Sequence, residues 1–185
     1  MTASIWFTGL PSAGKSTLAA AYAERVRHRQ RVQVLDGDVV RAAFFPELGF
    51  TKADRIANVQ RIGSLARMFA GHGVLALVPV IAPYRQARDH VRSEHEAAGI
   101  PFAEVFVDAE LQTCVDRDVK GLYARARSGE ITGLTGFDDP YEEPEKPELR
   151  LRTDRCSIDE CLAALDGLIA DIESAATRPG AIPRG

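Results

Sequence analysis

Residues 9–17, GLPSAGKST, constrain the fold of this chain more than any other stretch. They match the pattern G-x-x-x-x-G-K-[ST] in full, and they follow an apolar stretch at 4–9 that predicts a buried strand. A helix is predicted directly afterwards, at about 16–30. In such a loop the glycines let backbone N–H groups face an anion, and the helix N-terminus adds partial positive charge. The sequence therefore predicts a phosphate-binding loop between the first strand and the first helix.

The side chains of this loop indicate which phosphates it binds. Lys15 can reach the terminal phosphates of a nucleoside triphosphate, and the Ser16 hydroxyl can ligate Mg²⁺. We therefore expect ATP as the phosphate donor, Mg²⁺ as the cofactor and Lys15 as a catalytic residue. The residues expected to bind ATP are Gly9, Leu10, Pro11, Ser12, Ala13, Gly14, Lys15, Ser16, Thr17 and Arg117.

Strands and helices alternate along the rest of the chain. Ser157 and Glu160 form the sequence signature of a helix N-terminus near the end. The alternation predicts an α/β fold in which helices cover both faces of a parallel sheet. Further strands are predicted at 32–35, 74–82, 103–109 and 149–153, and further helices at 52–70, 84–98, about 110–117 and from 157 onwards.

The size and composition of the chain limit its organisation and location. Its 185 residues, 45% of them hydrophobic, suit a single domain, which we place at 1–173 with a disordered tail at 174–185. A net charge of −3 argues against binding of nucleic acid through bulk charge. No apolar stretch approaches the roughly 20 residues that span a bilayer, and no secretory signal is recognised. A cytoplasmic protein without a membrane partner is expected.

Two acidic residues favour a kinase over a switch or motor NTPase. The third strand ends in VIAPY, without the acid that helps such NTPases hold Mg²⁺. Asp36 and Asp38 instead follow the second strand, at the sheet edge where α/β proteins bind ligands. Either carboxylate could hold metal-bound water, and one could orient or deprotonate an attacking hydroxyl. A polar turn whose acids cap the next helix is the alternative interpretation. The pattern favours a small-molecule kinase with Asp36 and Asp38 as catalytic residues.

Four residues after this turn have the chemistry to bind an anionic acceptor. Arg41, and then Arg55 and Asn58 on one helical face, can bind an anion and an amide-like edge. Phe50 offers a stacking face for a base. Alone, Phe50 would be interpreted as a core residue and Arg55 as a solvated one. Their grouping favours an acceptor site.

Residues 118–148 form a long segment that is rich in Gly, Pro and charge and has no clean periodicity. A loop of this length in a small domain predicts a lid, which would close basic groups such as Lys120 over the phosphates and exclude water. For the acidic half, a solvated surface loop is the alternative.

With these motifs in order, the chain resembles the adenylylsulfate kinase (APS kinase) family. Members transfer the γ-phosphate of ATP to the ribose 3′-hydroxyl of adenosine 5′-phosphosulfate (APS), giving 3′-phosphoadenosine 5′-phosphosulfate (PAPS). The resemblance implies a three-layer P-loop kinase fold with a five-stranded parallel sheet of order 2-3-1-4-5, Mg²⁺ dependence and a homodimer. It rests on GLPSAGKST, LDGD with Arg41, LGFTKADR with Asn58, PYR at 83–85, RDVKGLYARARSGEITG and TGFDDPYEEPEKPEL, at the family's spacing over residues 5–155.

The resemblance also implies roles for individual residues. Asp38 would lie near the attacking hydroxyl, Phe50 would form one side of an adenine sandwich, and Lys120 would contact the acceptor from the lid. The residues implied to bind the acceptor are Asp38, Arg41, Phe50, Arg55, Asn58, Ile81, Ala82, Lys120, Leu122 and Leu134.

Departures from the family pattern cluster on the acceptor side. Leu134 replaces the second aromatic of the base sandwich, although Phe137 is nearby. Drift within a true APS kinase is one explanation. A paralogue acting on a related nucleotide, such as a cytidine diphosphoramidate-like compound, is another. A separate alternative for the whole chain is a nucleotide-binding module that has lost catalysis, against which the retention of Lys15, Ser16, Asp36 and Asp38 argues. The departures are Val39 for Asn, Ala57 for Glu, Gln60 for Arg, Ala82 for Ser, and Leu134 for the aromatic.

Overall fold

The computed structural model describes residues 2–177 and has the sheet that the sequence predicts. Five parallel strands lie in the order β2-β3-β1-β4-β5. The strands are β1 (Ala3–Thr8), β2 (Val32–Val34), β3 (Leu75–Pro79), β4 (Phe102–Asp108) and β5 (Leu149–Arg152). The helices are α1 (Lys15–Val26), α2 (Gly37–Phe44), α3 (Lys52–Gly71), α4 (Arg85–Ala97), α5 (Leu111–Arg117), α6 (Leu122–Arg127) and α7 (Ile158–Thr177).

Alternating residues of the strands build two hydrophobic cores, one on each face of the sheet. In β1, Ile5 and Phe7 belong to one core and Trp6 to the other, because successive strand side chains point to opposite faces. The first core also contains side chains of α1 and α7, such as Leu18 and Leu165. The second contains side chains of α2, α3 and α4. Helices therefore cover both faces, as predicted.

Side-chain caps fix where three helices begin. Asp36 accepts hydrogen bonds from the backbone N–H groups of residues 38 and 39 and starts α2. Thr51 and Asp54 form a capping box at α3. Ser157 and Glu160 exchange the same pair of bonds at α7, which confirms the capping box predicted there.

The structure differs from the sequence prediction in several places. Strand β3 ends at Pro79, before the predicted end at 82. Helices α2 and α6 were not predicted, because each has fewer than nine residues and is too short for a periodic pattern to be recognised. Helix α1 ends at Val26, before the predicted end at 30. Helix α7 continues to Thr177, past the predicted start of the tail at 174, and residues 178–185 of that predicted tail lie outside the described residues.

Among residues 2–177, none of the helices combines the length and the apolar character that spanning a bilayer requires.

Candidate active site

The phosphate loop, residues 9–17, curls between β1 and α1 as the sequence predicts. Gly9 and Gly14 have φ angles of +148° and +103°, which residues with side chains rarely adopt. The Lys15 ammonium is buried and donates hydrogen bonds to the carbonyls of Gly9 (2.9 Å) and Leu10 (2.6 Å). Burial lowers the pKa of Lys15 from 10.5 to about 8. Charged phosphate oxygens are stronger acceptors for this buried cation than neutral carbonyls are.

Asp36 both caps α2 and faces the phosphate loop. One carboxylate oxygen accepts the backbone N–H of Asp38 (3.0 Å), and the other accepts the Ser16 hydroxyl (2.5 Å). The interpretation of Asp36 as a helix cap is therefore correct, and it does not exclude a second role. A hydroxyl and a carboxylate side by side are oxygen ligands of the kind that Mg²⁺ accepts beside phosphates and water. This donor set fits the cofactor that the sequence predicts.

Asp38 lies one residue into α2 and is paired with the lid. Its carboxylate accepts a hydrogen bond from the Lys120 ammonium at 2.5 Å, and both side chains are more than half exposed. This bond raises the pKa of Lys120. The lid, residues 118–148, thus holds the predicted catalytic acid through one exposed ion pair, which solvent and a charged ligand can reach.

A cavity of about 200 Å³ connects the phosphate loop with the predicted acceptor residues. Its walls come from the loop, α2, the start of α3, the end of β3 and the beginning of the lid. Predicted site residues that line it are Pro11, Ser12, Gly14, Lys15, Ser16, Thr17, Asp36, Asp38, Arg41, Phe50, Arg55, Asn58, Ile81, Ala82, Lys120 and Leu122.

Phe50 is a surface residue of this cavity. Its side chain is 64% exposed, so the interpretation as a core residue is wrong. The Arg41 guanidinium carbon lies 3.8 Å from the centre of the ring and covers one face. Arg41 is fixed in turn by a bond to the Gly49 carbonyl at 3.1 Å. The ring therefore already stacks with a flat cation, and it has the geometry to stack with a base.

Arg55 and Asn58 occupy the first turns of α3 beside Phe50. Arg55 donates to the Phe50 carbonyl (2.8 Å), to the Thr135 hydroxyl (2.6 Å) and to the Gly133 carbonyl. It therefore ties the lid to α3 rather than standing free in solvent. The Asn58 side-chain oxygen is buried and has no partner within the described residues. An unpaired buried acceptor on a cavity wall is satisfied by a ligand that brings a donor.

Five predicted site residues do not line this cavity. Leu134 is only 7% exposed and packs in the core that contains α1, and Phe137 stands edge-on to Tyr123 outside the cavity. A base sandwich with Leu134 therefore stays a prediction that would need the lid to rearrange. The residues outside the cavity are Gly9, Leu10, Ala13, Arg117 and Leu134.

Arg117 contacts the phosphate loop outside the cavity. It donates to the carbonyl of Thr153 (2.6 Å) and reaches the carbonyl of Ala13 (3.5 Å), which also accepts the Thr153 hydroxyl (2.7 Å). Its contact with ATP stays a prediction. Thr153 was not predicted, because a lone Thr after a strand carries no sequence signal.

Two other residues at the site, Thr8 and Val119, were also not predicted from the sequence. The buried Thr8 hydroxyl donates to the Ile81 carbonyl (2.6 Å) and bonds the Tyr141 hydroxyl (2.9 Å), which joins β1, the turn after β3 and the lid. Val119 lines the cavity beside Lys120. The bonds of Thr8 connect residues more than 70 positions apart, so no local pattern could reveal them.

A parallel sheet of order 2-3-1-4-5, a phosphate loop after β1 and a lid define a P-loop kinase fold. Comparison with known proteins narrows the class. The sequence profile of the family described as adenylylsulphate kinase matches residues 1–152. The chain is 52% identical over 163 residues to the adenylyl-sulfate kinase of Deinococcus deserti, covering 87% of each protein.

Solved structures agree with this assignment. The APS kinase CysC of Mycobacterium tuberculosis, in complex with AMPPNP and APS, is 44% identical, with a TM-score of 0.87 over 91% of this chain and 98% of that one. A hexameric APS kinase from Thiobacillus denitrificans is 36% identical, with a TM-score of 0.69 over 91% of this chain and 28% of that one. The chain belongs to the adenylylsulphate kinase family.

Proposed function

We propose that this chain is an adenylyl-sulfate kinase that transfers the γ-phosphoryl group of ATP to the ribose 3′-hydroxyl of APS, giving PAPS and ADP. One observation carries the proposal: a single cavity is lined both by the phosphate loop and by the residues predicted to bind the acceptor, with Asp38 among them. A kinase needs its donor and acceptor sites to open onto one space, because the phosphoryl group must pass directly between them.

The phosphate loop serves the donor. On binding ATP, Lys15 exchanges the carbonyls of Gly9 and Leu10 for phosphate oxygens, and its charge stabilises the transferred group. Ser16 and Asp36 would hold Mg²⁺, which would supply positive charge that neutralises the phosphates when bound. Most of the rate enhancement comes from positioning and electrostatics.

The acceptor side begins at Asp38. Lys120 bonds only one carboxylate oxygen of Asp38, so the other oxygen can accept a hydrogen bond from the 3′-hydroxyl. The anionic acceptor offers the Lys120 ammonium a further partner. The base stacks on the Phe50 ring, either on the face that Arg41 now covers or on the opposite face. Asn58 accepts a hydrogen bond at its unpaired oxygen.

A second candidate rests on the position of Leu134. Because Leu134 lies outside the cavity, the lid supplies no second hydrophobic face for a base stacked on Phe50. Stacking on Phe50 does not itself select adenine, because every base has a stacking face. A kinase of a related nucleotide, such as a cytidine diphosphoramidate-like compound, is the alternative that this favours.

The remaining assignments are proposals of the same kind. We propose one catalytic domain that includes all of α7 and has its lid at 118–148, a homodimer and a cytoplasmic location. One of the similar structures is a hexameric APS kinase, which supports assembly into an oligomer.

An acceptor panel tests the proposal. ADP formation from ATP and Mg²⁺ is measured with sulfated, phosphoramidate and unmodified nucleotides, for wild type and Lys15→Ala. We expect turnover with APS that Lys15→Ala abolishes while the fold is retained. Turnover only with another nucleotide favours the second candidate, and no ATP consumption with any acceptor indicates a binding module without catalysis.

A further inference from the structure

The turn after β3 holds a residue in an unfavourable backbone conformation. Ala82 has a φ of +44°, although it carries a Cβ atom and is 1% exposed. This left-handed region is disfavoured for L-residues other than Gly. The next residue is Pro83, which restricts the backbone before it and normally favours an extended conformation. Such a residue persists only where its surroundings hold it, and these sites are concentrated at ligand clamps. Ile81 and Ala82 both line the candidate active-site cavity.

Two side chains hold this turn by its carbonyl groups. The Thr8 hydroxyl donates to the Ile81 carbonyl at 2.6 Å. The Arg88 guanidinium, only 3% exposed, donates to the Ala82 carbonyl at 2.7 Å from the first turn of α4. The two hydrogen bonds are accepted by adjacent peptide units, so together they fix the backbone conformation at this part of the cavity wall.

The Arg88 guanidinium is itself held from two further directions. Its Nε atom lies 2.6 Å from a carboxylate oxygen of Glu104 on β4, and its second terminal nitrogen donates to the Glu142 carbonyl in the lid at 2.7 Å. A buried ion pair contributes little net stability, because desolvation of both charges opposes their attraction. The arrangement does fix a planar guanidinium whose two terminal nitrogens donate to the Ala82 carbonyl and to the lid at the same time. Lys has a single ammonium group and cannot reproduce this geometry.

We propose that Arg88 is a positioning residue for the acceptor: by holding the Ala82 carbonyl, it keeps the turn at residues 80–83 in the conformation that shapes the acceptor wall of the cavity. This proposal rests on the proposed function, because it takes the acceptor to be APS. Within residues 2–177, Arg88 makes no hydrogen bond to the phosphate loop. Its loss therefore frees the Ala82 carbonyl, which weakens acceptor binding, and leaves ATP binding unchanged.

Steady-state kinetics of Arg88→Lys test this role. We expect the KM for APS to rise about tenfold, the factor that corresponds to strain of this order at one residue, with the KM for ATP unchanged. Adding Ala82→Gly should then lower the KM for APS again, because Gly adopts a positive φ without needing the bond. Because a glycine at a positive φ also relieves backbone strain and raises general stability, Ala82→Gly alone and the thermal unfolding of every variant serve as references. The role of Arg88 predicts a larger fall in the KM for APS on adding Ala82→Gly to Arg88→Lys than on adding it to wild type.

Two further variants control for the buried charges. Arg92→Lys alters an arginine on the same helix that pairs with Glu104 and Glu148 but not with Ala82, and it should leave the KM for APS unchanged. If Arg88→Lys does not fold, the double variant Arg88→Met, Glu104→Gln is tested instead, and Glu104→Gln alone is its reference. In this pair of variants no buried carboxylate loses its partner, because Glu104 is already neutral.

The outcomes separate this inference from the proposed function. Wild type that does not phosphorylate APS refutes the proposed function, and the same comparison is then made with the nucleotide that it does phosphorylate. Equal effects of Arg88→Lys on both substrates, an equal effect of Arg92→Lys, or a fall in the KM for APS on adding Ala82→Gly that is no larger than in wild type would each overturn the role of Arg88.

Discussion

Gly9→Ala is the substitution whose effect follows most directly from the packing of the phosphate loop. A Cβ atom at Gly9 would lie 2.3 Å from the Val107 carbonyl oxygen, a backbone atom of β4 that cannot move independently of the sheet. Ordinary contact begins at 3.4 Å, so the loop must shift by about 1 Å. The Gly9 carbonyl is a partner of Lys15, and the shift therefore displaces that partner.

A misplacement of about 1 Å in a catalytic site costs on the order of 100-fold in rate, equivalent to about 2.7 kcal/mol of transition-state stabilisation. We expect kcat/KM for ATP to fall by roughly this factor. The assay is ADP formation at saturating acceptor, with thermal unfolding measured in parallel.

Gly73→Ala is the matched control. Gly73 also has a positive φ, of +83°, but a Cβ atom there meets nothing within 4 Å, and the residue lies before β3, at the opposite edge of the sheet. This variant should lose about 1–2 kcal/mol of stability from backbone strain alone and keep its kcat/KM. Equal kcat/KM for the two variants would refute the displacement argument.

Three further outcomes are expected. Asp38→Asn should lower kcat by about 10²- to 10⁴-fold with ADP affinity by calorimetry little changed; near-normal turnover would remove Asp38 from the mechanism. Phe50→Ala should weaken acceptor binding by about 1–3 kcal/mol, the contribution of one stacked base, with ATP binding much less affected; equal losses would contradict a stacking role. Burial lowers the pKa of His95 in the folded protein below the 6.5 of the unfolded chain. As the pH falls, the unfolded chain therefore binds the proton first. The part of the free energy of unfolding that depends on neutral His95 is complete above pH 6.5 and is lost below it. Urea unfolding between pH 7.5 and 5.5 should show this as a slope of at most about 1.4 kcal/mol per pH unit, absent in His95→Gln and retained when the exposed His72 is replaced by Gln; an unchanged slope in His95→Gln would contradict it.

The parts of the fold that the sequence predicts well are those with local signatures. The phosphate loop has a defined motif between a strand and a helix, and the alternation of elements determines a parallel sheet. The capping box at Ser157 and Glu160 involves residues three positions apart, so its bonds could be predicted. The order of the strands required the family resemblance.

The parts that could not be predicted depend on contacts between distant segments. Arg55 faces the cavity as expected, but its bonds to the lid join residues about 80 positions apart. Leu134 was expected beside a base and is buried instead, because the conformation of the lid decides what it contacts. The left-handed turn at Ala82 is stabilised by Arg88 and Thr8 from different elements, and neither has a sequence signal for that role.

Calorimetric titration of APS into the protein, with ADP and Mg²⁺ present, tests the central claim most directly. If the cavity at Phe50, Arg55 and Asn58 is an acceptor site for APS, a dissociation constant of about 1 μM or tighter is expected, equivalent to about 8 kcal/mol of binding free energy. Phe50→Ala should weaken that binding without changing the affinity for ADP. Protein that binds ADP but shows no heat with APS would contradict the assignment, and would indicate a kinase with a different acceptor.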